Sequence, residues 1–203
     1  MTRTIDFYFD FGSPNAYLSY RVLPEIEARI GKVFVLKPVL LGGVFKATNN
    51  RSPMEAFAGI PAKLAYERKE MERFITRHAL ARFRMNPYFP INTLAQMRGA
   101  HAARRLGIFD QYVEAVMAGM WERQLGMGDP EVLAQVLNEA GLPAADLLRL
   151  SQEPDVKQSL VDETSNFVER GGFGIPTFFV VDEMFFGKDR LAQVEEAFIE
   201  HNA

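Results

Sequence analysis

Apolar and polar residues alternate from Ile5 to Phe11, where Ile5, Phe7, Phe9 and Phe11 are separated by Asp6, Tyr8 and Asp10. A period of two predicts a β-strand with one face buried. The period then lengthens: Leu18, Val22, Ile26 and Ile30 recur every four residues, the stripe of an amphipathic helix. Between the two segments lie Gly12, Ser13 and Pro14. Glycine permits a tight turn, serine is a favoured N-cap, and proline suits the first helical position because no N–H is needed there. Lys32 to Leu41 (KVFVLKPVLL) is a β-branched apolar run that predicts a second strand, broken by Gly42-Gly43.

From about residue 44 to residue 170 the pattern is helical, apart from an irregular stretch at Asn86-Pro87-Tyr88-Phe89-Pro90. Phe109, Tyr112, Val113, Val116, Met117, Met120, Trp121 and Leu125 follow helical spacing, as do Val132, Leu133, Val136, Leu137 and Ala140 after Asp129-Pro130. Val156, Leu160, Thr164, Phe167 and Val168 form a further stripe that stops at Gly171-Gly172. Strand character returns at Thr177–Val181 and Met184–Phe186, joined by Asp182-Glu183 as a hairpin connection. A last helix is expected from about Asp189 to His201, with Leu191, Val194, Ala197 and Phe198 on one side. Strand-helix-strand, a helical block, then helix-strand-strand-helix is an α/β, thioredoxin-like fold with a large all-helical insertion. The expected division is a discontinuous thioredoxin-like domain at 1–45 and 165–203 and a helical insertion domain at 46–164.

Composition narrows the class. The 203 residues can bury a sizeable core, and 48% hydrophobic with 24% charged residues is ordinary for a globular chain. No apolar run has the length of a membrane span and the N-terminus lacks a basic-then-apolar leader, so a soluble, cytoplasmic protein is expected. Net charge of −3 argues against a general nucleic-acid binder. The charge is uneven: Pro61 to Arg84 holds seven Lys/Arg (Lys63, Arg68, Lys69, Arg73, Arg77, Arg82, Arg84) against three Glu. Such a segment is either a solvated helix face or, if it faces a cleft, an attractor of carboxylate ligands.

There is no cysteine, which removes disulfides, thiolate metal sites and a cysteine nucleophile together. Thioredoxin-like proteins keep C-x-x-C at the first strand–helix junction, where unpaired helix N–H groups stabilise a thiolate. Here the same positions read Ser13-Pro14-Asn15-Ala16. The platform for a thiolate remains while the thiol must come from outside, and glutathione is the candidate. Taken alone, Ser13 is simply a helix cap. Gly174-Ile175-Pro176-Thr177 precedes the third strand, where thioredoxin-like folds carry a cis-proline facing the first helix; the alternative is a trans proline opening an edge strand. Phe186-Gly187-Lys188-Asp189-Arg190 starts the final helix. Its backbone N–H groups could bind a carboxylate and Asp189 an α-amino group, or Asp189 could be a plain N-cap with Lys188 and Arg190 solvated. His78, His101 and His201 lack partners at metal-ligand spacing, so no metal is expected, and neither a G-x-S-x-G elbow nor a dinucleotide or P-loop glycine motif is present.

These motifs, with Gly42-Gly43-Val44-Phe45-Lys46, resemble nearly end to end the branch of the DsbA-like thioredoxin family that holds 2-hydroxychromene-2-carboxylate isomerases and kappa-class glutathione transferases. The resemblance implies that Ser13 hydrogen-bonds the glutathione sulfur and favours its thiolate. It implies that Ile175, before Pro176, offers its backbone to the cysteinyl part, and that Gly187, Lys188 and Asp189 hold the γ-glutamyl group. Asn50 and Lys63 would reach the glycyl end; Phe45, Lys46 and Tyr88 would line the substrate pocket. The chain departs from the family pattern at Asn49-Asn50, where Gly-Asn is frequent, and at Lys188, where Ser or Asn is frequent. The implied activity is interconversion of 2-hydroxychromene-2-carboxylate and trans-o-hydroxybenzylidenepyruvate, or a related acid of aromatic catabolism, with glutathione as cofactor in a homodimer. The alternatives are a kappa-type transferase that consumes glutathione and a non-catalytic binder of glutathione or peptides.

Overall fold

A computed structural model describes residues 4–202. The chain runs β1 (Ile5–Phe9), α1 (Pro14–Ile30), β2 (Phe34–Pro38), then α2 (Leu41–Thr48), α3 (Pro53–Ala56) and α4 (Pro61–Arg77). It continues through α5 (Leu94–Arg105), α6 (Phe109–Trp121), α7 (Pro130–Glu139), α8 (Ala144–Leu150) and α9 (Pro154–Glu169). Last come β3 (Thr177–Val180), β4 (Glu183–Phe186), a 3-10 turn at Lys188–Arg190 and α10 (Leu191–Asn202). The sheet order is β2-β1-β3-β4, with β2 parallel to β1 and the β1–β3 and β3–β4 pairs antiparallel. This is the thioredoxin arrangement, and the helical block sits between β2 and β3. Among the described residues no helix is long and apolar enough to cross a membrane.

Strand β1 departs from the expected half-buried pattern, because both its faces are covered. Phe7 stacks on Phe178 with ring centres 4.9 Å apart, while Tyr8 on the other face packs 4.6 Å from Phe167 of α9. The polar half of the alternation is neutralised instead of solvated: Arg170 donates to Asp6 at 2.7 Å and to the Tyr8 hydroxyl at 3.0 Å. Gly42 and Gly43 do not end a strand but lie inside α2. A Cβ on Gly43 would stand 3.4 Å from Thr164, so the glycine lets α2 lie close on α9. The hairpin turn falls at Val181-Asp182, one residue earlier than the sequence suggests. Val181 takes the left-handed conformation, φ 56°, and its carbonyl is held by Arg170 at 3.0 Å.

The basic segment is mostly a solvated helix face. Phe74 is the buried residue of α4, and Lys69–Glu72 and Arg73–Glu70 pair along its surface. The irregular stretch after it is pinned by Asn86, whose buried amide donates to the Met120 carbonyl at 2.7 Å and the Leu125 carbonyl at 2.9 Å.

Candidate active site

The site is assembled at the end of the sheet where β1 runs into α1. Ser13 takes an extended conformation (φ −96°, ψ 112°), as an N-cap must, and its Oγ accepts from the Ala16 N–H at 3.2 Å. The Tyr17 N–H donates to the Ser13 carbonyl at 3.1 Å. Pro14 has no N–H, and the Asn15 N–H, in the first turn, has no intrahelical carbonyl to donate to. Among the described residues the Ser13 hydroxyl accepts from Ala16 and donates to no partner. A hydroxyl and an amide at the positive end of a seventeen-residue helix make an environment that favours an anion.

Register brings the second element alongside. Tyr8 of β1 pairs with Thr177 of β3, so Pro176, just before Thr177, lies beside the C-terminal end of β1. The Ile175–Pro176 bond is cis. Thr177 Oγ1 donates to the Gly174 carbonyl at 2.7 Å, and the Gly187 N–H donates to the Pro176 carbonyl at 2.9 Å. That last bond ties the start of the Lys188–Arg190 turn to the cis-proline, and the turn packs against α1. The cis-proline loop and the Gly187–Asp189 turn are thus joined to each other, and the turn lies on α1, the helix that Ser13 caps. Asn50 joins them indirectly, since its amide donates to the Phe173 carbonyl at 2.9 Å.

Lys188 is not solvated. It is 5% exposed, lies 5.4 Å from the centre of the Phe74 ring, and donates to both oxygens of Asp189 at 3.0 and 3.1 Å. Lys63 sits on exposed α4 with its ammonium 3.5 Å from the centre of the Phe57 ring. Phe45 is half-buried and Lys46 exposed on α2. Tyr88, Ile91, Asn92, Gly126, Gly128 and Val132 line an open cavity of about 430 Å³. This cavity adjoins the Ser13 turn through Ile91, whose carbonyl lies 3.7 Å from where a Cβ on Gly12 would stand.

Three supporting groups escaped the sequence reading. Trp121 Nε1 donates to the Phe11 carbonyl at 2.8 Å, bracing the turn from α6. Arg21, one turn beyond Tyr17, donates to Glu114 at 2.7 and 2.8 Å and to Glu122 at 2.5 Å, and the Tyr17 hydroxyl donates to Glu122 at 2.9 Å. Burial pushes the Tyr17 hydroxyl up to about 12, so it stays a neutral donor. Asp10 is 1% exposed, and burial pushes its carboxyl up while hydrogen bonds from Leu41, Gly12 and Thr93 oppose the shift. The Asp-x-Gly spacing before the cap was the available signal for Asp10.

Comparisons with known proteins agree with this architecture. The DSBA-like thioredoxin domain matches residues 4–198. A 2-hydroxychromene-2-carboxylate isomerase of Sphingobium xenophagum is 29% identical over 199 residues, covering 96% of this chain and 97% of that protein. Glutathione S-transferase kappa 1 of Homo sapiens is 25% identical, covering 94% of this chain and 88% of that one. A solved structure of a 2-hydroxychromene-2-carboxylate isomerase superposes with a TM-score of 0.81 at 24% identity, over 98% of this chain and 96% of that chain. With its thioredoxin sheet, cis-proline and capped first helix, the chain belongs to the DsbA-like thioredoxin-domain family.

Proposed function

We propose that the chain is a glutathione-dependent isomerase acting on 2-hydroxychromene-2-carboxylate or a related aromatic acid. One observation carries the reading: in a chain without cysteine, the helix end that could stabilise a thiolate presents a serine whose hydroxyl oxygen caps the helix and whose O–H can donate to a sulfur. The donor set fits a bound thiolate, with the Ser13 hydroxyl and the Asn15 N–H as donors at the positive end of α1. When bound, glutathione supplies a nucleophilic sulfur able to add reversibly to a conjugated acid, so that rotation about the former double bond becomes possible.

The chain's own residues bind and orient. Ser13 hydrogen-bonds the sulfur and lowers its pKa. The Ile175 backbone, set beside cis-Pro176, pairs with the cysteinyl part. Gly187, Lys188 and Asp189 take the γ-glutamyl end, where a paired cation and anion complement a zwitterionic amino-acid group. Asn50 and Lys63 serve the glycyl carboxylate, while Phe45, Lys46 and Tyr88 border the acid's pocket. The reading carries with it a cytoplasmic homodimer; light scattering measures the oligomeric part.

The second reading, a kappa-type transferase, is favoured by the human relative's name. Two mixtures separate them. With glutathione and the chromene acid, the isomerase reading predicts catalysis with glutathione recovered. With glutathione and chlorodinitrobenzene, turnover that consumes glutathione marks a transferase. Binding without turnover in either mixture would mark a binder and overturn both.

A further inference from the structure

We infer that Asp10 is the positioning residue of this site, holding the Gly12–Ser13 turn in place against both the second and the fifth helix. Its carboxylate is buried and reaches three chain segments. Oδ1 accepts from the Gly12 N–H at 2.8 Å and from the Thr93 hydroxyl at 2.7 Å, and Oδ2 accepts from the Leu41 N–H at 2.8 Å. Each partner is otherwise short of one. Leu41 opens α2, whose N-cap Leu40 has no side-chain acceptor to offer, so Asp10 caps that helix from outside. Thr93 is the N-cap residue of α5; its hydroxyl makes no cap bond to that helix and donates to Asp10.

Steric limits make the arrangement rigid. A Cβ on Gly12 would stand 3.1 Å from Thr93 Cγ2 and 3.3 Å from Asp10 Oδ1, so turn, carboxylate and threonine are in close contact. The Ser13 N–H closes the turn on the Asp10 carbonyl at 3.0 Å. Asp10 thus fixes where the Ser13 hydroxyl points through both its main chain and its side chain. It does not touch the thiol; it acts through Ser13. The inference that this aim matters for catalysis rests on the glutathione reading above. The inference that Asp10 sets the turn does not.

The test compares Asp10→Asn, Thr93→Val and Thr93→Ser. An amide presents an NH2 to one of two backbone donors that both need an acceptor. In Asp10→Asn, ligand-free amide exchange at Gly12 and Leu41 is expected to speed up by about tenfold or more. With glutathione bound, the ultraviolet thiolate absorbance should fall and kcat drop by about ten- to a hundredfold with KM within about twofold, as expected when a reacting group is misplaced but still bound. Thr93→Val should move the same readouts less far, and Thr93→Ser, which keeps the hydroxyl, should restore them. If Asp10→Asn does not fold, Thr93→Val carries the test.

Unchanged exchange at Gly12 and Leu41 in a folded variant overturns the proposal. So does faster exchange with thiolate signal and kcat intact, since Asp10 would then be structural only. If the wild-type protein gives no thiolate signal with glutathione, the glutathione reading fails, and exchange alone decides whether Asp10 sets the turn.

Discussion

Replacing Ser13 by alanine separates the residue's two roles, helix cap and thiolate donor. The cap is a single bond from Oγ to the Ala16 N–H at 3.2 Å. Losing such a cap typically costs about 1 kcal/mol. For a chain of this size that corresponds to a fall in Tm of roughly 2–4 °C. The fold should survive, because Pro14 still opens the helix and Trp121 still braces the Phe11 carbonyl. The chemical effect is larger. Removing one preorganised donor costs roughly a hundred- to a thousandfold in rate when it acts only on the developing or bound anion. The sign of the pH effect follows from the same donor: a hydrogen bond to the charged form lowers a pKa, so its loss raises the pKa toward the free-thiol value of about 8.5. Isomerase rates across a pH series, with parallel thermal melts, should show an activity limb displaced to higher pH and a small Tm change. Full activity with an unshifted profile would make Ser13 a cap and nothing more.

Further outcomes follow from the same geometry. In Ser13→Cys the introduced thiol is the chain's sole one, and its alkylation rate against pH should report a pKa below about 8.5, as at other helix N-termini; a value at or above that would deny the anion-favouring environment. Asp189→Asn should raise the KM for glutathione about tenfold with kcat nearly unchanged, the pattern of lost uniform binding; a kcat loss at constant KM would place Asp189 elsewhere in the reaction. Gly172→Ala should cost about 1–3 kcal/mol by overpacking, because its Cβ would stand 2.3 Å from the ring of Phe167, which is fully buried. Gly174→Ala should cost less, since the ring it meets belongs to Phe186, 44% exposed and able to move; equal losses in denaturant melts would contradict this. Burial lowers the His101 pKa, so the unfolded chain takes up that proton first and stability should fall as pH drops below about 6.5, until the folded-state pKa is passed; His101→Gln should flatten that part of the Tm–pH curve.

What was legible in the sequence was local. The turn from β1 into α1 could be read because alternation, Gly12, the Ser13 cap and Pro14 all lie within one short stretch. The same holds for the stripe of α10, whose Leu191, Val194, Ala197 and Phe198 are buried as expected. Misplaced features depended on partners distant in sequence. Asp10 reads as the polar half of an alternating strand, yet two of its donors, Leu41 and Thr93, arrive from separate helices. Lys188 reads as a surface cation until Phe74 of α4 covers it and Asp189 neutralises it. The glycines at 42 and 43 read as a break because helix propensity penalises them, yet both lie inside α2, where the close approach of α9 accounts for the glycine at 43. Candidate residues from the first helix, the cis-proline loop and the last turn were placed together because sheet register fixes them. Lys63, Phe45 and Tyr88 lie on the helical block, where local pattern says little about direction.

The central claim is that this protein holds glutathione as a thiolate at Ser13. Ultraviolet absorbance of the wild-type protein with glutathione, titrated from acid to alkaline pH against free glutathione, measures it without any substrate. The account predicts that bound glutathione shows the thiolate band with a midpoint at least about one pH unit below the free thiol's value of about 8.5, and that Ser13→Ala moves the midpoint back toward that value. A midpoint equal to that of free glutathione, or no bound glutathione at all, would contradict it.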